Sequence, residues 1–265
     1  PEGELNFVPC PEDFAGGTPC GKVRLEEVKC EVFASFVWVN LDPQATPLAD
    51  HLGPVAHQIA GYRMEQMHRT HWVTLEGDWN WKCVQDNFNE SYHLPFVHPQ
   101  TRFVMEQSYK DCQFDLYAPH GHARMFMPGS RPARSLRGNT DTVLEMMAKE
   151  LTYWGLDPED FRDDPLKTRE ALQQAKRERG ADMGYDFSHF HDAQLTDHFH
   201  YTIFPNISFS LKPDGCIWLR ADPHPTDPER CYFDMWYFTW FPEGVDRYYA
   251  YSMGQEVDRT TPVPH

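Results

Sequence analysis

The chain has 265 residues, of which 40% are hydrophobic and 24% charged, enough for one large globular domain or two small ones. A formal net charge of −16 opposes binding to nucleic-acid phosphates and to anionic membranes. No apolar run is long enough to span a bilayer and residues 1–30 hold no secretory leader; the seven cysteines form neither a disulfide framework nor a C-x-x-C zinc pair, so a reducing cytoplasm is the expected setting.

Pro1 opens the chain in what reads as β structure inside a domain, and the end at Thr260–His265 is no better as a domain finish, so a piece of a longer protein is expected. Residues 21–41 read as two strands. The first is marked by Val23, Leu25 and Val28, and the second is a buried run, Val32–Val39, stopped by the turn signal Asn40-Leu41-Asp42-Pro43. A Pro-rich connection at 42–54 is the candidate domain boundary, giving 1–45 and 46–265. Further strands are expected over Tyr62–Leu75, a helix over Asp78–Tyr92 and strands within 102–127.

Arg131–Asn139 reads as a solvated basic loop containing Arg131, Arg134 and Arg137. Asp141–Trp154 predicts a helix capped by Asp141 or Thr140, and Asp164–Arg179 a polar second helix. Strands return over 199–241, with Asp214-Gly215 as a hairpin turn. Strands, then helices, then strands predict an α+β domain, an antiparallel sheet wrapped around a long helix.

The chemistry concentrates between Asn80 and Thr101. Asp86 and Glu90 are four apart and Glu90 and His93 three apart, so the expected helix would project all three from one face, with Asn87 at its edge. On an unbroken helix His98 would point about 140° away from His93. Pro95 lies between them and cannot sustain the ladder, so a break there could bring the two imidazoles together. Two histidines beside carboxylates form a site for a divalent transition metal, and two histidines with one carboxylate and open positions suit non-haem iron. The bland alternative is two polar histidines flanking a helix end. The pairs His189-Phe190-His191 and His198-Phe199-His200 would each face one way on a strand and read as surface or pocket histidines ahead of a second metal site. Trp236–Phe241 reads as sheet core ahead of a pocket wall.

The run Asp86, Glu90, His93, His98, with Asn80-Trp81-Lys82, Asp86-Asn87-Phe88, Tyr92 and Thr101 around it, resembles the iron-site signature of Rieske-type aromatic-ring-hydroxylating oxygenase large (alpha) subunits. Phe36–Pro43 is similar to the segment closing that family's Rieske domain, and Phe204-Pro205-Asn206 with Pro223-His224-Pro225 to its catalytic sheet. The resemblance implies a helix-grip (START/Bet v 1-like) catalytic domain preceded by the tail of a β-rich Rieske domain. It further implies His93 and His98 as ligands of a mononuclear Fe(II), Glu90 as an acid bridging histidines across a subunit boundary, Asp86 behind it, and Asn87 near the open iron face. A small aromatic substrate, O₂, a Rieske 2Fe-2S cluster, NAD(P)H through a reductase with or without a ferredoxin, and a trimer with or without a beta subunit follow from the same resemblance.

Departures from the pattern are specific. Glu90 stands where ring-hydroxylating dioxygenases usually carry Asp, which leaves mono- against dioxygenation open. No cysteine here has a histidine two or three positions later, so the cluster ligands are expected before Pro1. Asp246 and Asp258 lack the motif of the family's third iron ligand, which is expected beyond His265. Two other functions compete: a hydrolase activating water on the same His-His-carboxylate site, and a non-catalytic small-molecule carrier.

Overall fold

The computed structural model describes residues 2–136 and 138–260. The chain forms two compact units, Pro1–His51 and Leu52–His265. In the first, β1 (Lys29–Phe33) and β2 (Phe36–Asn40) make an antiparallel hairpin. The expected unbroken strand Val32–Val39 is thus two strands. Ala34 and Ser35 turn the chain with φ of 52° and 66°, the positive values that match a two-residue turn to strand twist. Nor is the run buried: Val32, Val37 and Val39 are exposed. The strand expected around Val23, Leu25 and Val28 reduces to one bridge, Glu4 to Arg24.

Short helices α1 (Leu48–Leu52) and α2 (Pro54–Ile59) lead into the second unit. There follow β3 (His68–Gly77), α3 (Trp81–Phe88), α4 (Leu94–Val97), β4 (Gln113–Tyr117), β5 (His122–Met127), α5 (Thr140–Tyr153), α6 (Thr168–Arg179) and α7 (Asp192–Thr196). The sheet is completed by β6 (His198–Ile203), β7 (Ile207–Lys212), β8 (Gly215–Pro223) and β9 (Cys231–Thr239), and β10 (Arg247–Ala250) pairs with β11 (Gln255–Asp258) as a ribbon.

Seven strands form one antiparallel sheet in the order β3-β9-β8-β7-β6-β5-β4. Alternation along each strand gives the faces different contents. On one face the register aligns Met125, His200, Ser210 and Ile217 in one row and Ala123, Thr202, Ser208 and Leu219 in the next. The α3 helix lies across this face: Val84 packs with Leu219, Ala221, Cys231 and Phe233, flanked by Trp81, Phe88, Ile217 and Met235. On the other face Tyr201, Phe209 and Trp218 stack, with ring centroids 5.3 and 4.9 Å apart. The fold is therefore α+β with a large antiparallel sheet, but the helix on its central strands is eight residues long where fifteen were expected.

Two buried charges elsewhere in this unit are paired. Asp197, fully buried, accepts from Arg169 Nε and Nη2 at 2.7 Å each and from the Gly129 N–H at 3.1 Å. Lys176 Nζ, also fully buried, donates to Glu150 at 2.8 Å and to the Leu195 carbonyl at 2.6 Å. Burial would raise the Glu150 carboxyl, but Lys176 foremost, with Lys212 and Ser130, holds it below its usual value.

The loop expected to be solvated differs most. Arg131 is buried and pairs with the fully buried Glu106 at 3.3 Å. Arg134 is the exposed member, paired with Asp111 at 3.3 Å, and Arg137 lies outside the described residues. The α5 N-cap is Asn139, at φ 58° and with no side-chain cap bond, in place of Thr140 or Asp141. The β7–β8 turn is Pro213-Asp214, one residue early, because Gly215 already pairs with Lys212. A Cβ on Gly215 would lie 2.5 Å from Ser252 Oγ and 2.9 Å from the Phe238 carbonyl, so close approach, not a turn dihedral, explains that glycine. Among the described residues no helix is long and apolar enough to cross a membrane.

Candidate metal centre

The site segment begins where α3 stops. Asn80 caps the helix start, its side chain accepting from the Lys82 N–H at 2.9 Å. The helix ends at Phe88, so Asp86, Glu90 and His93 do not share one continuous helical face. Its end is set locally: Glu90 folds back, one carboxylate oxygen accepting the His93 N–H at 3.1 Å and that of Tyr92. These bonds draw the N–H groups into a tight turn instead of another helical turn.

His93 then caps α4, and Pro95 sits in that helix's first turn, where a missing N–H costs nothing. His98 closes the same single turn, its N–H reaching the Leu94 carbonyl at 3.0 Å. The two rings thereby come side by side, centroids 5.5 Å apart and planes at 78°. The other Glu90 oxygen contacts His93 Nδ1, which leaves Nε2 as the ring nitrogen directed elsewhere.

Surrounding bonds hold this turn in place. Ser91 Oγ donates to the Gln107 carbonyl at 3.2 Å, Thr101 Oγ1 to the His98 carbonyl at 2.8 Å, and the Gln107 amide reaches Thr101. Beneath them, Glu106 receives the N–H groups of Gln107, Ser108 and Arg134 at 2.9–3.1 Å. Burial would raise the Glu106 carboxyl, but these donors and Arg131 lower it.

Exposure separates the candidates. His93 is mostly covered (side chain 18% exposed) and Glu90 half-covered (38%), while His98, Asp86 and Asn87 are exposed. The expectation of two buried acids ahead of His93 therefore fails for Asp86. Tyr92, Phe96 and Val97, on the same short segment, also face outward.

Metal–nitrogen bonds of about 2.1 Å let two imidazoles share one ion with ring centres within roughly 6 Å, so His93 and His98 fit as two ligands of a mononuclear site. Among the described residues no group of three or more His, Cys, Asp or Glu side chains is placed to hold a metal. Asp246 is engaged with Arg259 in the β10–β11 ribbon. His198 and His200 share a face of β6, but His189 and His191 lie outside any strand: His189 Nε2 bonds the Gly61 carbonyl at 2.7 Å, and His191 caps α7.

Beside this segment, on the α3 face of the sheet, opens a cavity of about 470 Å³. Asn89, Phe114, Leu116, Ala123, Met125 and His200 line it, and Leu94, next to His93, packs on the cluster containing Met125. Sequence reasoning, which read His198 and His200 as surface or pocket histidines, did not separate the two, and it missed the buried Glu106–Arg131 support. A signal for His200 existed: Ser208 and Ser210 alternate with Ile207, Phe209 and Leu211, marking a polar patch on one face of an apolar strand.

An antiparallel sheet is crossed by a short helix, and paired histidines follow that helix beside a cavity, an arrangement suited to a small molecule. The sequence profile of the ring-hydroxylating alpha subunit catalytic domain matches residues 64–247, and the chain belongs to that family, the Rieske non-haem iron oxygenases. It is similar to the carnitine monooxygenase oxygenase subunit of Escherichia coli K12, 32% identical over 84 residues, 29% of this chain and 21% of that protein. The same subunit from Acinetobacter baumannii is 35% identical over 75 residues, 27% of this chain and 20% of that one. In fold it is similar to a quaternary ammonium Rieske monooxygenase (TM-score 0.56, 14% identity) and to naphthalene 1,2-dioxygenase (TM-score 0.51, 17% identity). Each match covers 92% of this chain and 50% of the other, so the chain spans about half the length of the solved relatives.

Proposed function

We propose that this chain supplies the mononuclear iron site of an oxygenase component that hydroxylates a small aromatic or related apolar substrate with O₂. The observation that carries the reading is the His93–His98 pair, bracketing one helical turn with its rings 5.5 Å apart and His93 Nδ1 held by Glu90. When bound, Fe(II) would supply O₂ binding and activation. His93 and His98 would hold it, and Glu90 fixes the His93 tautomer and ring orientation. Asp86 and Asn87, exposed on the helix end, are assigned support of Glu90 and the open face of the site. The apolar wall of Phe114, Leu116 and Met125 would orient the substrate and keep water away.

In the whole protein, residues 1–45 would close a Rieske domain whose 2Fe-2S cluster receives electrons from NAD(P)H through a reductase, with or without a ferredoxin. Residues 46–265 would form the catalytic domain, with the third, carboxylate ligand supplied from outside the described residues. The assembly would be a cytoplasmic trimer, with or without a beta subunit. Glu90 would then reach a histidine of the neighbouring subunit, which its half-covered position allows.

Similarity to carnitine monooxygenase subunits favours a second substrate reading, a quaternary ammonium compound. Against it, Asp115 in the cavity wall is paired with Arg124 at 2.9 Å, so its charge is already matched. Metal analysis of the full-length protein, with O₂ consumption under an electron donor, tests the proposal. One mononuclear iron per chain and donor-dependent O₂ uptake are expected; zinc with donor-independent hydrolysis would establish the hydrolase instead.

A further inference from the structure

The sheet face under α3 is apolar on β8 and β9 but polar on β6 and β7. Four side chains there are at least nine-tenths buried, at 6% exposure for Gln85, 4% for His200, 6% for Thr202 and 0% for Ser208. Each carries polar atoms with no hydrogen-bond partner among the described residues: His200 Nε2, Thr202 Oγ1, Ser208 Oγ, and both amide atoms of Gln85. Such groups cost about 1–3 kcal/mol each when left unsatisfied, so a cluster of them demands a partner.

Their placement says where the partner sits. Thr202 and Ser208 are directly paired across β6 and β7, and His200 is the next same-face residue on β6, opposite Ser210. Phe88 of α3 stacks on the His200 ring, centroids 5.6 Å apart at 20°, and Gln85 is one turn earlier on that helix. Of the four, His200 reaches the cavity wall beside Asn89 and Met125. Ser210 Oγ bonds His200 Nδ1 at 2.8 Å, which locks the ring and leaves Nε2 as the nitrogen available to a ligand. Burial lowers the His200 pKa to about 4, so the imidazole is neutral at physiological pH, as are the other three groups.

We infer that His200, backed by Thr202, Ser208 and Gln85, is a specificity-determining subsite that takes a neutral oxygen group of the substrate, a hydroxyl or carbonyl, at the end of the cavity. This rests on the oxygenase reading for the identity of the bound molecule. The subsite's chemistry excludes a purely hydrocarbon ligand as the best fit, because that would leave His200 Nε2 unpaired at the cavity wall. It also gives a charged end no counter-ion among these four side chains.

Anaerobic calorimetry on the full-length oxygenase, with metal and cluster in place, tests this using three probes of matched shape: acetophenone, 1-phenylethanol and ethylbenzene. The wild type should bind the two oxygenated probes about ten-fold more tightly than ethylbenzene, the worth of one well-made neutral hydrogen bond. His200→Leu should erase that preference while leaving ethylbenzene affinity within about two-fold, and His200→Gln should keep part of it. Should the His200 variants fold poorly, Thr202→Val and Ser208→Ala, near-isosteric, should each reduce the preference by a few-fold.

An unchanged preference in a folded His200→Leu protein overturns the proposal, as does equal binding or no binding of all three probes by the wild type. An ordered water satisfying all four groups, with variants of unaltered selectivity, does the same. The readout needs no turnover: oxygen-selective binding without O₂ consumption would sink the oxygenase reading alone, and O₂ consumption without selectivity would sink the subsite alone.

Discussion

Two polar regions of the second unit obey opposite rules. Around α5–α7, Asp197 and Lys176 are buried and paired, Asp197 with Arg169 and Lys176 with the mostly covered Glu150. From the end of α3 through α4, polar and aromatic side chains are displayed: Asp86, Asn87 and His98 are exposed, and Tyr92 is 83% exposed. Buried charge must be matched inside the chain or the fold fails. Exposed imidazoles and rings at the end of a stitched turn gain nothing for the fold, and their natural partners are a metal and another surface. The first region is for stability and the second for function.

Replacing a histidine of the displayed region breaks this contrast most directly. His93→Ala and His98→Ala should each lose iron by more than the roughly 10–100-fold that loss of an outer-shell partner costs, and turnover should stop. Stability of the exposed His98 variant should stay within about 0.5 kcal/mol of wild type, as for other surface changes. Iron quantitation beside chemical denaturation checks both halves; a His98→Ala protein that keeps iron and turns over removes it from the ligand set.

Glu90→Gln sharpens the contrast by changing one atom. In the wild type, two carboxylate oxygens face the backbone N–H groups of Tyr92 and His93 and the His93 ring. The amide offers one acceptor and turns an NH₂ toward a donor, so one of these bonds must fail. Iron should stay bound, but reoxidation of the Rieske cluster with substrate and O₂ present should slow by about 10–100-fold. Stopped-flow spectroscopy of the cluster reads this out, and a wild-type rate would leave Glu90 as a turn residue only.

The buried region should answer in stability instead. Asp197→Ala leaves Arg169 with only the exposed Glu170 and the Gly129 N–H unsatisfied, at a cost of about 3–5 kcal/mol. The molecules that remain folded should bind iron with unchanged stoichiometry. Urea midpoints test the first expectation, and a cost under 1 kcal/mol would show that water takes over the carboxylate's bonds.

What the sequence made legible follows the same division. Pro95 pointed to a chain break between His93 and His98, but the break falls before His93 and Pro95 instead opens α4; alternating strands at 199–241 signalled the sheet, a local effect of backbone chemistry. The length of α3 was not legible, since it is set by Glu90 folding back on Tyr92 and His93, a bond that helical periodicity does not reveal. Arg131 reads as solvated until Glu106, twenty-five residues earlier, is known to lie beneath it. His200 could be singled out from His198 only once pairing with Ser210 and stacking on Phe88 were known, and both depend on register.

The smallest effect tests whether the polar face under α3 behaves as a buried surface. Burial lowers the pKa of His200 to about 4 and that of His198 well below the ordinary value, with Lys212 adding to the second. A base with a depressed folded pKa stabilises the fold above its unfolded value, near 6.5, and that stability is lost as pH falls toward the folded pKa. Asp214 has the opposite sign: burial raises its carboxyl to about 6, so its contribution is lost as pH rises from about 4 to 6. Between about pH 4 and 6.5 the two histidines therefore make stability rise with pH, and Asp214 opposes them below about pH 6. The carboxylates with lowered values, Glu106 and Glu150 among them, add to the rise at the acid end of this window, where their unfolded forms take up protons. Urea unfolding at half-unit pH intervals measures the slope directly. His200→Leu should make it shallower and Asp214→Asn should make it steeper. An unchanged slope in His200→Leu would mean that the imidazole already titrates in the folded state, and that this face is open to water.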